Sequence, residues 1–295
     1  MDTTSGIEQK ASRTALSAAM LRNMAYKDAH PYFPGTDYLS GLFLPPNVKT
    51  VLFFRFFRRL LRKRFVGGYE YVLARTRYFD DLFQRALEVN IPQIVVLGAG
   101  YDTRAIRFSA LIKKTRIFEL DAPHTQLQKQ SVLDKSSIQI PEQVTFVPIN
   151  FSTQNLEQTL LPAGYDPSEK TLFLWEGVTF YLSEEDVART LAFIRKHAGR
   201  GSRLAFDYSY RAAIDGTTEY YGAEETARAV SEDREPFTFG IEEGAVASFL
   251  AGHGFEVISH HTPNELEQIY LTDQVGERFG RMYGFVCIVL CQPVD

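Results

Sequence analysis

The chain has 295 residues, 45% of them hydrophobic, enough for a sizeable core in one large α/β domain or in a core domain with a cap. A net charge of −4 and a pI of about 5.9 lack the basic footprint of a nucleic-acid binder. The polar N-terminus has no signal-peptide core and no apolar run approaches a bilayer span, so a soluble, cytoplasmic protein is expected.

Residues 1–90 read as a helical cap. Ala11 to Met24 is rich in Ala, Leu and Met, which are good helix formers. A turn-rich stretch follows, His30-Pro31-Tyr32-Phe33-Pro34-Gly35 and then Pro45-Pro46. A second helix is expected from Val48 to Arg64 and a third from about Gly68 to Val89, ending before Pro92. In the second, Phe53, Phe54, Phe56 and Phe57 interleave with Arg55, Arg58, Arg59, Arg62, Lys63 and Arg64. The favoured reading is a lid helix with an aromatic core face and a solvated basic face. The other two are contact with an anionic membrane and a seat for an acidic acceptor.

From Ile94 the pattern changes to short apolar runs alternating with helical stretches. Strands are expected at Ile94–Leu97, Arg116–Leu120, Val144–Pro148, Thr171–Leu174, Ser202–Phe206, Phe255–Ser259 and Phe285–Leu290. Ser183-Glu184-Glu185-Asp186 resembles a capping box before a helix that runs to about His197. Such alternation predicts an open, mostly parallel sheet with helices on both faces. Pro148 cannot donate to a ladder, which suits an edge position for the third strand. The core spans 91–295, with a long polar and aromatic insertion at about 208–240 that holds Tyr208, Tyr210, Tyr220 and Tyr221. Cys287 and Cys291 share one apolar run. On a strand they face the same side at a spacing too long for a disulfide, so buried thiols are expected.

Four segments carry chemistry. The run Ile94-Val95-Val96-Leu97-Gly98-Ala99-Gly100-Tyr101-Asp102-Thr103-Arg104 is a buried strand ending in a Gly-x-Gly turn before a helix; its glycines let the backbone approach a ligand. A dinucleotide fingerprint needs a third glycine where Thr103 stands, and Asp102 would repel a pyrophosphate at the helix N-terminus. That disfavours an NAD-dependent dehydrogenase. A cationic ligand with an amino group suits the acidic turn better, and S-adenosylmethionine (SAM) carries a sulfonium and an ammonium. About twenty residues on, Ile117-Phe118-Glu119-Leu120-Asp121 closes the next strand, and Glu119 or Asp121 is placed to accept ribose hydroxyls. In Leu172-Phe173-Leu174-Trp175-Glu176-Gly177, an apolar strand runs into Glu176 at the edge where open α/β sheets bind ligands, so Glu176 faces a ligand or an arginine. In Tyr71-Val72-Leu73-Ala74-Arg75-Thr76-Arg77, Arg75 and Arg77 lie on different helix faces. One is placed to grip a carboxylate, the other to pair with Asp80 or Asp81.

Together these segments resemble the leucine carboxyl methyltransferase family, in particular its bacterial branch with polyketide carboxyl and hydroxyl O-methyltransferases. The likeness is strong from about Ala74 to Leu182 and rests on Leu-Gly-Ala-Gly-x-Asp-Thr-Arg, Phe-Glu-x-Asp-x-Pro and the Glu after the fourth strand. It implies a class I methyltransferase fold with seven strands, a SAM cofactor and no metal. It further implies that Arg75, with Arg77 second, holds the SAM carboxylate. Gly98, Ala99, Gly100 and Asp102 would line the methionine moiety, and Glu176 would contact its end. Asp121 is preferred over Glu119 for the ribose, and Asn150 and Phe151 flank the adenine where the family often has Asp-Leu. The expected acceptor is a carboxylate or hydroxyl of a small molecule, with a protein C-terminal carboxylate or a SAM-binding regulator without turnover as alternatives. A hydroxyl acceptor needs a general base; Asp207, Tyr208 and Tyr181 are near the ligand edge but none stands out. His124 reads as cofactor wall or surface.

Overall fold

The structure, a computed structural model, describes residues 4–151, 153–217, 219–226 and 237–294. Its sheet orders the strands β3-β2-β1-β4-β5-β8-β7. These are β1 (Gln93–Leu97), β2 (Arg116–Asp121), β3 (Val144–Pro148), β4 (Thr171–Trp175), β5 (Arg203–Tyr210), β6 (Gly240–Ile241), β7 (Phe255–His261) and β8 (Val286–Pro293). The first five pair in parallel, whereas β8 runs antiparallel between β5 and β7, so the sheet is mixed. The seven expected strands are all present. The eighth is β6, whose two residues pair with the end of β5 and are too short to leave a periodic signal.

Burial follows position. Every residue of β1 and β4 is buried, as strands covered on both faces require, and their sequences are almost unbroken apolar runs. β3 is the edge and mostly half-buried, and it ends on Pro148, which the edge tolerates. β5 continues to Tyr210, so Asp207 and Tyr208 belong to the sheet and not to a loop. Residues 227–236 of the expected insertion lie outside the described residues. Cys287 and Cys291 are buried free thiols on β8, and burial pushes the Cys291 thiol up to about 12.

Helices among the described residues include α1 (Thr4–Asp28), α2 (Pro46–Phe53), α3 (Arg55–Arg64), α4 (Gly68–Glu88), α5 (Arg104–Arg107), α6 (Pro123–Lys135), α7 (Leu156–Leu160), α8 (Glu184–His197), α9 (Arg211–Ile214), α10 (Val246–Gly252) and α11 (Pro263–Tyr270). The Ser183 hydroxyl accepts the Asp186 N–H at 3.1 Å and opens α8 as its sequence predicts. α4 packs against α1 and α11, and its Phe79 and Phe83 are fully buried. Side chains on both sides of residue 90 share one hydrophobic cluster.

One expectation is reversed. The helix predicted over Val48–Arg64 breaks at Phe54, whose extended backbone (φ −84°, ψ 122°) separates α2 from α3. The cause is Arg58: it is buried, its Nη1 caps the carbonyls of Leu52 (2.8 Å) and Phe53 (3.1 Å), and its Nε binds Asp28 at 2.7 Å. The phenylalanines of this segment therefore face solvent and an arginine faces inward. Among the described residues no helix is long and apolar enough to cross a membrane.

Candidate functional site

The C-terminal ends of β1, β2, β4 and β5 deliver the site's residues to one edge of the sheet. β1 stops where the chain turns through Gly98 (φ +68°) and Gly100 (φ +49°), backbone that L side chains rarely adopt. A Cβ on Gly98 would stand 2.5 Å from Val178 Cγ2, and one on Gly100 would stand 3.2 Å from Ala15 Cβ, so α1 closes over the turn. The Ala99 N–H donates to the Leu120 carbonyl at 2.8 Å, tying the turn to β2.

Asp121 accepts the N–H groups of Gly100 at 2.6 Å and Ala122 at 2.7 Å. Burial raises its pKa, and the two backbone donors pull the other way. Glu119, two residues earlier on the same strand face, is paired with Lys129 in a fully buried ion pair. Burial pushes Glu119 up too, against the pull of Lys129. Of the two acids, Asp121 touches the glycine turn, whereas the Glu119 carboxylate is held by Lys129.

Arg75, on α4, reaches across to β4 and β5. Its Nε donates to Glu176 Oε1 at 2.9 Å, and its Nη1 to Tyr71 Oη at 3.2 Å and Asp207 Oδ2 at 3.5 Å. The Tyr71 hydroxyl donates to Asp207 as well, and the Gly177 N–H completes that carboxylate at 2.7 Å. Gly177 (φ +70°) is required here, because a Cβ would lie 2.7 Å from Arg75 Nη1. Burial works against the Arg75 charge, but Tyr71, Glu176 and Asp207 outweigh it and hold the guanidinium ionised. Burial raises the Asp207 pKa, opposed by Arg75 and Tyr71.

A second arginine, to which the sequence reading assigned no role, closes the arrangement. Arg104 donates from Nη2 to Glu176 Oε2 (2.7 Å), from Nε to Asp80 Oδ1 (2.8 Å) and from Nη1 to Asp102 Oδ2 (2.5 Å). Glu176 is thus gripped by Arg75 on one oxygen and Arg104 on the other. Asp80 is also held bidentately by Arg107 at 2.7 Å on both oxygens. The expected partner of Asp80, Arg77, is elsewhere: it is half-buried and donates to the Tyr270 carbonyl at 3.3 Å, away from Glu176. Asp81, the other acid considered, accepts from the Tyr270 hydroxyl at 3.2 Å. Burial opposes ionisation of Asp102, yet Arg104, with Lys129 and Arg22, lowers its pKa to about 2.

Asn150 follows Ile149, whose N–H donates to the Asp121 carbonyl at 2.9 Å, so it lies just beyond the end of β3 beside Asp121. Phe151 lines a small cavity of about 20 Å³ with Gln154, Leu156, Arg189 and Phe193, on the side of α8. Among the residues considered as bases, Asp207 is committed to Arg75, Tyr71 and Gly177. Tyr208 is buried, with its hydroxyl 3.0 Å from His260 Nε2, and Tyr181 packs on Phe180 and Phe237. His124 is exposed in the first turn of α6.

A family model described as "Leucine carboxyl methyltransferase" matches residues 15–195. A Bacillus subtilis protein named "Putative S-adenosyl-L-methionine-dependent methyltransferase" is 26% identical over 68% of this chain and 66% of its own length. One from Streptomyces coelicolor, with the same description, is 31% identical over 64% of this chain and 63% of its own. The chain spans slightly less than two thirds of the length of these relatives. A solved structure described as a "putative methyltransferase" from Thermobifida fusca has a TM-score of 0.62 and 13% identity, with 94% of each chain covered, a likeness of fold.

Proposed function

This chain belongs to the leucine carboxyl methyltransferase family, and from that premise we propose that it is a SAM-dependent O-methyltransferase acting on a small-molecule oxygen acceptor of the kind found in secondary metabolism. The observation that carries the reading is the convergence of the Gly98–Gly100 turn, Asp121 and the doubly gripped Glu176 at one sheet edge. The donor set fits SAM. Asp121 is an acceptor for ribose hydroxyls, Glu176 an anion for the ammonium, Arg75 a cation for the carboxylate, and the glycines keep side chains off the methionine moiety. Asn150 and Phe151 flank the adenine in this reading.

When bound, SAM supplies an electrophilic methyl group on a sulfonium. The protein's part is to hold the acceptor oxygen in line with it, at about 3–3.5 Å. Gly98, Gly177 and the arginine–carboxylate network would pre-organise the donor side, because those groups hold one another through Arg75, Arg104, Glu176 and Asp207. A carboxylate acceptor is ionised at neutral pH and needs no base, whereas a hydroxyl does.

Titration calorimetry with SAM and S-adenosylhomocysteine, followed by assay of S-adenosylhomocysteine release over a panel of small carboxylic acids and phenols, tests the reading. Absence of SAM binding overturns it. Binding without turnover on any acceptor, C-terminal peptides included, would point to a regulatory SAM-binding protein.

A further inference from the structure

α3 is held down by two of its six cations, Arg58 and Arg62, while Phe56, Phe57 and Leu60 point out. Arg58 binds Asp28, and Arg62 binds Glu70 and the Phe279 carbonyl. With both arginines turned inward, the outer face of α2–α3 carries Phe53 (72% exposed), Phe54 (51%), Phe56 (71%), Phe57 (42%) and Leu60 (56%). Arg55, Arg59, Lys63 and Arg64 are exposed around them. Between Asp37 and Glu70 the chain has no acidic residue, but it has Lys49 and six further cations at 55, 58, 59, 62, 63 and 64. This local excess of positive charge stands on a chain whose net charge is −4. An open cavity of about 470 Å³ adjoins the basic flank, lined by Arg59, Arg62, Lys63, Glu70 and Tyr221.

We propose that the outer face of α2–α3 docks on a bilayer surface bearing anionic lipid headgroups. Exposed aromatic rings flanked by arginine and lysine match the two parts of such a surface. The rings enter the boundary between headgroups and acyl chains, and the cations meet the negative surface potential. A second copy of this chain fits worse. A two-fold contact on this face would set one basic surface against another, with no acidic residue between Asp37 and Glu70 to pair with it. The inward ion pairs of Arg58 and Arg62 fix the helix in the docking orientation, so no rearrangement is needed to present the rings. The proposal is independent of methyl transfer and is read without SAM.

The test is flotation of the full chain with phosphatidylcholine vesicles and with vesicles in which one third of the lipid is phosphatidylglycerol. Binding to the anionic vesicles is expected to exceed binding to the neutral ones by more than tenfold and to weaken as salt rises. F53S/F56S/F57S and R55E/R59E/K63E are each expected to lose at least tenfold in vesicle binding while keeping the wild-type melting temperature, since these side chains are exposed. No flotation of the wild type with anionic vesicles at low salt overturns the proposal. So does vesicle binding that survives in the triple-phenylalanine variant. A concentration-dependent dimer that F53S/F56S/F57S abolishes, in a wild type that ignores vesicles, would assign the face to a second copy instead.

Discussion

Arg104 Nη2 lies 2.7 Å from Glu176 Oε2, joining the turn after β1 to the end of β4 through a charge pair with side chains only 5% and 10% exposed. The same guanidinium holds Asp80 and Asp102. Arg104 is thus a positioning residue that sets where the Glu176 carboxylate stands. Removing one partner of a buried pair costs about 3–5 kcal/mol, because the remaining charges are left uncompensated. Arg104→Gln is expected to lower unfolding stability in urea by that order and to weaken SAM binding. Arg104→Lys keeps the charge without the planar fork and should recover part of the stability but little of the affinity. A Gln variant with wild-type stability would show that the network does not bear on the fold.

Asp121→Ala is expected to weaken SAM binding by more than tenfold, measured by calorimetry. It also strips the Gly100 and Ala122 N–H groups of their acceptor. Asp121→Asn keeps an acceptor oxygen and is expected to fall between the two. An Ala variant with wild-type affinity would remove Asp121 from the cofactor site.

Glu119 and Lys129 offer a cleaner separation of pair from fold. Both are almost wholly buried. Lys129→Met alone is expected to destabilise by about 3–5 kcal/mol, and Glu119→Leu together with Lys129→Met to recover most of that loss, since two apolar groups replace a compensated pair. Chemical denaturation of the two singles and the double measures it; a double variant as unstable as the worse single would contradict the account.

The pH dependence follows from Asp102. Its folded pKa, about 2, lies below the ordinary carboxylate value, so the unfolded chain binds the proton more readily. Its contribution to stability is present above the unfolded value and is lost as pH falls through the folded one. The stability margin of the wild type over Asp102→Asn is expected to shrink by about 1 kcal/mol between pH 5 and pH 3, read from urea midpoints. A margin that widens on acidification would reverse the sign.

The backbone at Gly98 gives a last prediction. Gly98→Ala places a side chain at φ +68° and 2.5 Å from Val178, costing about 1–3 kcal/mol of stability. Thermal melting checks this, and SAM affinity is expected to fall with it because the turn must shift.

The residues that meet at the candidate site could be singled out in the sequence because their markers are local. Gly98 and Gly100 follow four apolar residues, Asp121 ends β2, Glu176 follows β4, and Pro148 marks the edge position of β3. An arginine for Glu176 was expected, but the wider network behind it was not legible. Asp37 meets Thr103 and Arg107, and Asp80 meets Arg104, across separations of more than twenty residues that no helical or strand period encodes. Tyr71 had a local sign, standing four residues before Arg75 on the same helix face, yet its bond to Asp207 depends on where β5 lies. The orientation of α3 was misread for a related reason. Periodicity shows that aromatic and basic residues segregate, but not which side turns inward; that is decided by Asp28 and Glu70, outside the helix.

β8 runs between β5 and β7, and β7 has no other strand partner among the described residues. On a ribosome, β5 and β7 emerge well before the segment that joins them. The five parallel strands and the glycine turn can assemble while β7 still waits, and the open side of β5 stays exposed until residues 286–293 arrive. Pairing of residues 286–293 with both neighbours is therefore the event that seals the sheet, because it joins β7 to a flank of β5 that the parallel strands leave open.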